Sequence, residues 1–520
     1  TVLQEIGKRA VFDIMMEENS KVMKEVVVEA RPKIATGGLE IPEREQSFAQ
    51  QTIKMTEFEG LSFTSADEAL QGRIAGLDII ASSGNLGSGT TMRLRGVSTI
   101  MGNAEPLIVV DGVPMMMSVS DSQVKMAYGG ERDGGDAMST INPDDIAQIT
   151  LLKGASAAAL YGAVAANGAI MITTKSAQAG KVAINVSSNT TVESAMSLPK
   201  FQNNYGMSDE GTFSWGSKLG ATSPNYARKF YQPGYTTNNS ISLSGGTENI
   251  SSYFSYANVS SNGIMPENDY LSHNLMAKVG FNLWKKVHVD VSARYNKQHI
   301  ENQPSAGYLN NPITGAYLFP RGEDWDYYKS NYEVYDGVRN VNVHNWTNTK
   351  QEQFSNPYWM LNRQTPITDR NRYEFGGSVK YDIMEGLSVT GRLRYERGDE
   401  KWILNEYASS TAGRNLLGTM KDTRTFSEQT YADALASNKT WDETYSLSVT
   451  AGGSFTKTSA SSIELIGWGD KEFKVNNGVI TPGAYYPNIF SPKNYYTMQT
   501  TETLKEKRLN SVFATAQFGY

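Results

Sequence analysis

The sequence predicts a large antiparallel transmembrane β-barrel, preceded in the chain by a compact α+β domain. Three observations point there. Downstream of residue 180, apolar and polar residues alternate in runs of about ten, long enough to cross a hydrocarbon layer when tilted. The connections between those runs are by turns very short and very long. Residues 45–178 instead mix short helical and strand patterns, as one domain of about 130 residues would.

The alternation is plainest in two hairpins. Leu275, Ala277, Val279, Phe281 and Leu283 alternate with polar or small residues. A turn at Lys285-Lys286 then leads into Val287, Val289, Val291, Ala293 and Tyr295. Tyr373, Phe375, Val379, Tyr381 and Ile383 turn at Glu385-Gly386 into Leu387, Val389, Leu393 and Tyr395. Glu374, Lys380, Asp382, Arg392, Arg394 and Glu396 occupy the opposite face. Val182, Ile184 and Val186 begin the series, and Val512, Ala514, Ala516 and Phe518 end it. Long connections are expected at 196–239, 301–370, 397–440 and 468–504, matching the long outer loops and short periplasmic turns of outer-membrane barrels. A soluble β-sandwich shows the same alternation, but with shorter strands and without loops approaching about seventy residues.

Composition is compatible with either reading. Mean hydropathy is −0.43 and no run of about 18 apolar residues occurs, so no transmembrane helix is expected. A barrel evades that test because only alternate residues meet lipid. The net charge of −6, without a long basic run, argues against nucleic-acid binding. With no cysteine, disulfides, thiolate metal sites and cysteine nucleophiles are all excluded. The four histidines lack zinc-site spacing, so neither a metal nor a cofactor is expected.

Within the α+β domain, Ser65-Ala66-Asp67-Glu68 reads as a capping box opening a helix from Ala66 to Ile74, closed by Gly76. Strands are expected at Asp78–Ile80, Met92–Arg95, Leu107–Val110 (running into an Asp111-Gly112 turn) and Ala169–Ile172. A second helix is expected from Ala155 to Tyr161. Asn142-Pro143-Asp144-Asp145 is a helix start, which accounts for its two acids better than a catalytic dyad does. Gly84 to Gly89 resembles a phosphate-cradling loop but lacks the following helix and the Lys-Ser/Thr ending. Nothing converges into an enzyme site.

Four segments carry a family resemblance: Lys24 to Val28; Ala69-Leu70-Gln71-Gly72-Arg73 through Leu77; Leu94 to Ser98 with Pro106 to Pro114; and Ile141 to Ile146 with Lys153 to Gly162 and Ala166 to Lys175. In this order they resemble the TonB-dependent transporters of the SusC/RagA family from Bacteroidetes. Gly154, where the family carries an acid, and Ala163-Val164, where it carries Ser-Arg, depart from the pattern.

The resemblance implies an α+β plug domain inside the transmembrane β-barrel. It divides the chain into the end of a small regulatory β-domain (1–22), a TonB box and linker (23–44), the plug (45–178) and the first strands and outer loops of the barrel (179–520). Nine or ten strands are too few to enclose such a plug, so further strands are expected beyond this chain. The implied function is energy-coupled import of an oligomer, glycan or peptide, across the outer membrane. The implied partners are TonB (with ExbB and ExbD), outer-membrane lipid and a SusD-like surface lipoprotein, in a dimer of transporter–lipoprotein pairs. A siderophore or vitamin receptor and a surface polysaccharide-binding protein are the alternatives.

Candidate residues follow from that frame. Lys24, Glu25, Val26, Val27 and Val28 form an extended β-branched run on a flexible tether, suited to adding a strand to a partner's sheet. Arg93 and Arg95 share one face of a plug strand; they are candidates to meet Glu374, Asp382 or Glu396 on the lumen wall, or are simply solvated. Asn85, Ser98 and Asn103 in plug loops, with Trp215, Trp325, Tyr327, Trp346 and Trp359 in the long loops, are candidate cargo contacts. Loops that pack on themselves or on a partner account for those aromatics equally well.

Overall fold

The computed structural model describes most of residues 50–520, with the two short strands Ile34–Thr36 and Leu39–Ile41 before them. The main segments left out are 1–33, 42–49, 56–64, 97–103, 117–122, 126–130, 178–181, 209–212, 305–310, 348–354, 409–417, 442–445, 469–474 and 481–486. The run Lys24–Val28, Ser98 and Asn103 therefore lie outside the described residues.

The plug is built on a five-stranded sheet. Its strands are β1 (Gln50–Lys54), β4 (Leu107–Val110), β5 (Val113–Pro114), β6 (Ile146–Leu152) and β7 (Ala169–Thr174), in spatial order β1-β6-β7-β4-β5. Only β4 and β7 run parallel. Every residue of β4 is buried, because the sheet has a core on each face. Ile108 and Val110 pack with Ile149, Leu151, Ile170 and Ile172; Leu107 and Val109 pack with Leu152, Ala165 and Met171. A separate hairpin of β2 (Leu77–Ala81) and β3 (Thr90–Leu94) adds Ile79, Met92 and Leu94 to the first core.

Helix α1 is shorter than the sequence suggests, ending at Leu70 (Ala66–Leu70). Gly72 and Gly76 both have positive φ, so the chain turns twice before β2 instead of completing the helix. Ser65 makes no side-chain cap bond; the capping box is not formed. The expected second helix falls partly outside the described residues, which show helix at Ala157, Ala158 and Tyr161 and a 3-10 turn over Gly162–Ala165.

Around the plug stands a ten-stranded antiparallel sheet in sequence order: β8 (Ala183–Glu193), β9 (Gly234–Gly246), β10 (Ile250–Asn262), β11 (Asp269–Leu283), β12 (Val287–Glu301), β13 (Gln364–Met384), β14 (Leu387–Glu406), β15 (Thr419–Trp441), β16 (Ser446–Trp468) and β17 (Thr497–Gly519). Among the described residues no helix is long and apolar enough to cross a membrane, so any crossing is made by strands.

Strand pairing fixes which residues face in. Ser255, Met276, Arg294, Glu374, Glu396 and Gln429 are successive Cα partners across β10 to β15 and form one row facing the plug. Phe254, Ala277, Ala293, Phe375 and Tyr395 form the next row and face lipid. At Trp284 and Lys285 the turn between β11 and β12 has positive φ, the tight geometry that suits a two-strand hairpin.

The expected connection at 397–440 is overturned. Only residues 407–418 of it lie between strands, because β14 runs on to Glu406 and β15 occupies Thr419–Trp441. A 23-residue strand spans roughly 75 Å at about 3.3 Å per residue, far more than a hydrocarbon layer. Its outer half carries polar residues on both faces, so no apolar stripe marks it. Asp422, Arg424 and Glu428 point outward there, while Thr423, Thr425 and Gln429 point inward.

Candidate functional site: the plug–wall interface

The plug meets the lumen wall through polar groups, not through its apolar core. Asp111 leads the set. It occupies the tight turn between β4 and β5 with φ of 49°, followed by Gly112 at 83°. Its Oδ1 accepts the Thr174 backbone N–H at 2.9 Å and its Oδ2 accepts the Thr174 hydroxyl at 2.7 Å. From the wall, Lys278 Nζ approaches Oδ2 at 3.4 Å and Arg294 Nη2 at 3.3 Å. Burial pushes the Asp111 carboxyl up, but the two cations and the Thr174 bonds outweigh it and hold the group at about 2.

Arg294 also pairs with Glu374 at 3.2 Å, which opens a wall network. Glu374 and Glu396 are direct partners across β13 and β14, an arrangement that repels unless cations interleave. Arg394 reaches both carboxylates, at 2.7 and 2.5 Å, and Arg372 lies 3.3 Å from Glu374 and 3.1 Å from Glu396. The same groups grip plug backbone. Arg394 Nη1 donates to the Val110 carbonyl at 3.2 Å, and Arg372 Nη2 donates to the Met116 carbonyl at 2.8 Å. Glu396 accepts the Met116 N–H at 2.7 Å.

Further contacts complete the seam. Gln429 donates to the Pro114 carbonyl at 3.0 Å. Arg392 forks onto Asp433 and packs so close to Gly112 that a Cβ there would fall 2.3 Å from its Nη1. On the far side Asp144 accepts from Ser240, and Asp145 accepts the Tyr253 hydroxyl at 2.9 Å. Burial raises the Asp145 carboxyl above its ordinary range. Near the outer end, Asn85 donates to the Pro304 carbonyl at 3.5 Å and Gln303 donates to the Leu86 carbonyl at 3.3 Å.

Comparison with known proteins adds the family. Residues 42–169 match the TonB-dependent Receptor Plug Domain. The chain is 29% identical over 277 residues to the TonB-dependent receptor SusC of Bacteroides thetaiotaomicron, covering 51% of this chain and 25% of that one. The TonB-dependent receptor P3 of Formosa agariphila is 23% identical over 542 residues, covering 100% of this chain and 48% of its own length. The solved structure of the RagAB peptide importer in its closed-closed state superposes with a TM-score of 0.67 over 91% of this chain and 53% of its own, at 15% identity. These matches give the chain a TonB-dependent receptor plug domain and a likeness to receptors of the SusC/RagA type. The chain spans about half the length of the P3 relative, and its match with SusC covers a quarter of that protein.

In this chain the plug arginines expected at the wall lie elsewhere. Arg95 has φ of 60° and is exposed; its N–H donates to the Gly76 carbonyl at 2.9 Å, and its side chain lies over Gly76 and Gly154 of the plug. Arg93 is half-buried opposite Asp78 on β2. Neither is paired with Glu374, Asp382 or Glu396, because β3 belongs to a separate hairpin with β2. Glu374 and Glu396 do face the plug, held by wall arginines, whereas Asp382 pairs with His288 near the short turns. The plug carboxylate that meets the wall cations is Asp111, which the sequence places in a turn without assigning it a role.

The candidate loop aromatics divide into two groups. Trp325, Trp346 and Trp359 are buried in a module built by α2 (Tyr226–Phe230), α3 (Pro312–Leu318), α4 (Trp325–Ser330) and α5 (Pro357–Arg363). Trp325 packs edge-on to Phe319 at 5.0 Å and to Tyr358 at 5.7 Å, and stacks on Tyr226 at 5.9 Å. Trp325 and Trp346 belong to the module's apolar core, Trp359 is fully buried on α5, and none of the three offers a face to cargo. Trp215 (76% exposed) and Tyr327 (51%) remain at the surface. Asn85 is half-buried at the plug–wall seam. Among the described residues no cluster of His, Cys, Asp or Glu could hold a metal.

Proposed function

We propose that this receptor imports an oligomeric nutrient, a glycan or a peptide, across the outer membrane, using energy delivered by TonB. One observation carries the reading most directly. The plug has a complete apolar core of its own, yet it is held in the lumen by hydrogen bonds and ion pairs. Water can replace such contacts when the plug moves, at a much smaller net cost than exposing an apolar interface. A stopper that must be displaced and restored needs an interface of this kind.

In this reading Lys24 to Val28 add as a strand to TonB, and the pull reaches β1, the edge strand of the plug sheet. The exposed Trp215 and Tyr327 contact cargo, and a SusD-like surface lipoprotein covers the outer mouth. One similar structure supports the cargo class: the RagAB structure is described as a peptide importer. No step calls for catalysis or a cofactor.

Deleting Glu25 to Val28 tests the proposal. Uptake of the cargo is expected to stop, while cargo binding at the cell surface stays at the wild-type level. Undiminished growth of the deletion strain on that cargo would overturn it.

A further inference from the structure

The lipid face of the wall contains a notch that side-chain alternation alone does not require. Phe254, Ala277, Ala293 and Phe375 are consecutive Cα partners across β10, β11, β12 and β13, so two methyl groups lie between two phenyl rings. The depression holds about 480 Å³ and is bordered by Ile241, Leu243 and Leu275 in addition. Three inter-strand steps of about 4.8 Å separate the two phenylalanine strands, roughly 14 Å, wide enough for acyl chains lying along the strands.

Tyrosines edge the notch on the side of the long loops. Tyr295 and Tyr373 pack at 5.0 Å, and the Tyr295 hydroxyl donates to Asn371 Oδ1 at 2.9 Å. The Tyr256 hydroxyl meets His273 Nδ1 at 2.9 Å. Such residues mark the boundary between hydrocarbon and headgroup. One row further out the partners are Asn258, His273, Lys297 and Asn371. The acids nearby are occupied: Asp369 and Glu301 flank His299 at 2.7 and 2.9 Å, and Asp399 holds Arg397 at 3.0 Å. Lys297 is exposed and has no ion-pair partner among the described residues.

We propose that this face is a lipid site: the notch takes acyl chains of an outer-leaflet lipid, and Lys297, with His273 and Asn371 beside it, binds the phosphate of its headgroup. The height of the charge above the notch supplies the complementarity. An alkyl chain alone would use the notch but leave Lys297 without a role, and free phosphate would use Lys297 but not the notch. The inference rests on the outer-membrane reading proposed above.

The test is lipid retention. The full receptor is purified from membranes, washed in mild detergent and assayed for phosphorus and fatty acid per protein. Wild type is expected to retain both. Lys297→Glu should retain about tenfold less, the loss of one charge-assisted contact. Ala277→Phe with Ala293→Phe should also lose both, and Lys297→Met, which nearly keeps the length but removes the charge, should lose retention as Lys297→Glu does; heat-modifiable gel migration confirms that each barrel folds. Inorganic phosphate added to stripped protein should not compete with re-added lipid. Equal retention in all variants, or phosphorus without fatty acid, would overturn the site. Absence of the wild-type protein from the outer-membrane fraction would instead strike the transport reading itself.

Discussion

Asp111 of the plug and Arg294 of the wall lie 3.3 Å apart, and this pair couples the stopper to the carboxylate pair behind it, since Arg294 also holds Glu374. Asp111→Asn removes the charge and keeps the size. The bonds from Thr174 survive in part, but Lys278 and Arg294 lose their plug partner. A hydrogen bond to a charged group contributes about 1.5–3 kcal/mol, and the lower end applies here because Asp111 keeps some solvent contact. The plug should remain folded on its own core and sit more loosely. We expect cells carrying D111N to admit large hydrophilic antibiotics more readily, with unchanged receptor abundance. Wild-type resistance in D111N would refute this.

The same carboxylate sets a pH dependence with a definite sign. Held at about 2 when docked, against an ordinary value of 3.8, Asp111 contributes docking stability that is fully present above about pH 4 and fades as pH falls toward 2. Protease protection of the plug in purified receptor should therefore be flat from neutrality down to about pH 4 and decline below it. D111N should lack the component of that decline that Asp111 supplies. A wild-type decline centred near neutrality would assign the control to another group.

The parts legible in the sequence were those where one physical demand acts alone. The plug segments from Ala69 to Lys175 could be ordered from local pattern, and the inner halves of the wall strands showed their lipid stripe. The outer halves did not, because above the hydrocarbon layer nothing forces Arg424 or Glu428 to be apolar. The charged stripe holding Glu374, Arg394 and Glu396 was visible, but its partners were not. Which cation meets which carboxylate depends on the register of β12, β13 and β14, and the turn at Asp111 meets that stripe only once the plug is seated. The tryptophans misled for a related reason. Trp215 and Trp325 look alike in sequence, and only the packing of α2 to α5 separates a surface ring from a core one.

Arg321 tests that module. It is 3% exposed, and its guanidinium donates to the Gln202 carbonyl at 3.3 Å, Asn203 Oδ1 at 3.0 Å and the Phe319 carbonyl at 2.5 Å, with Phe201 stacked 5.1 Å away. It thus ties the loop before β9 to the loop before β13 without any carboxylate partner in that set. Arg321→Ala would leave the buried Phe319 carbonyl and the part-buried Gln202 and Asn203 acceptors without this donor, a cost of about 1–3 kcal/mol for the buried one and less for the others. Proteolysis between about residues 200 and 230 should accelerate in intact cells, while plug-dependent antibiotic exclusion stays as in wild type. If cleavage is unchanged, the loops are held together by other means.

Trp215 offers the most direct probe of cargo contact. Its ring is 76% exposed just before the Gly206–Ser217 backbone bond, so truncation removes binding surface without opening a core. Aromatic stacking contributes about 0.5–1.5 kcal/mol, which corresponds to a two- to twelvefold change in affinity. Trp215→Ala should weaken surface binding of the cargo by that factor and leave barrel migration on gels unaltered. Trp325→Ala should instead loosen the module, raising protease sensitivity along with any loss of binding. If W215A binds cargo as tightly as wild type, this exposed ring serves a partner surface and the cargo lies elsewhere in the outer mouth.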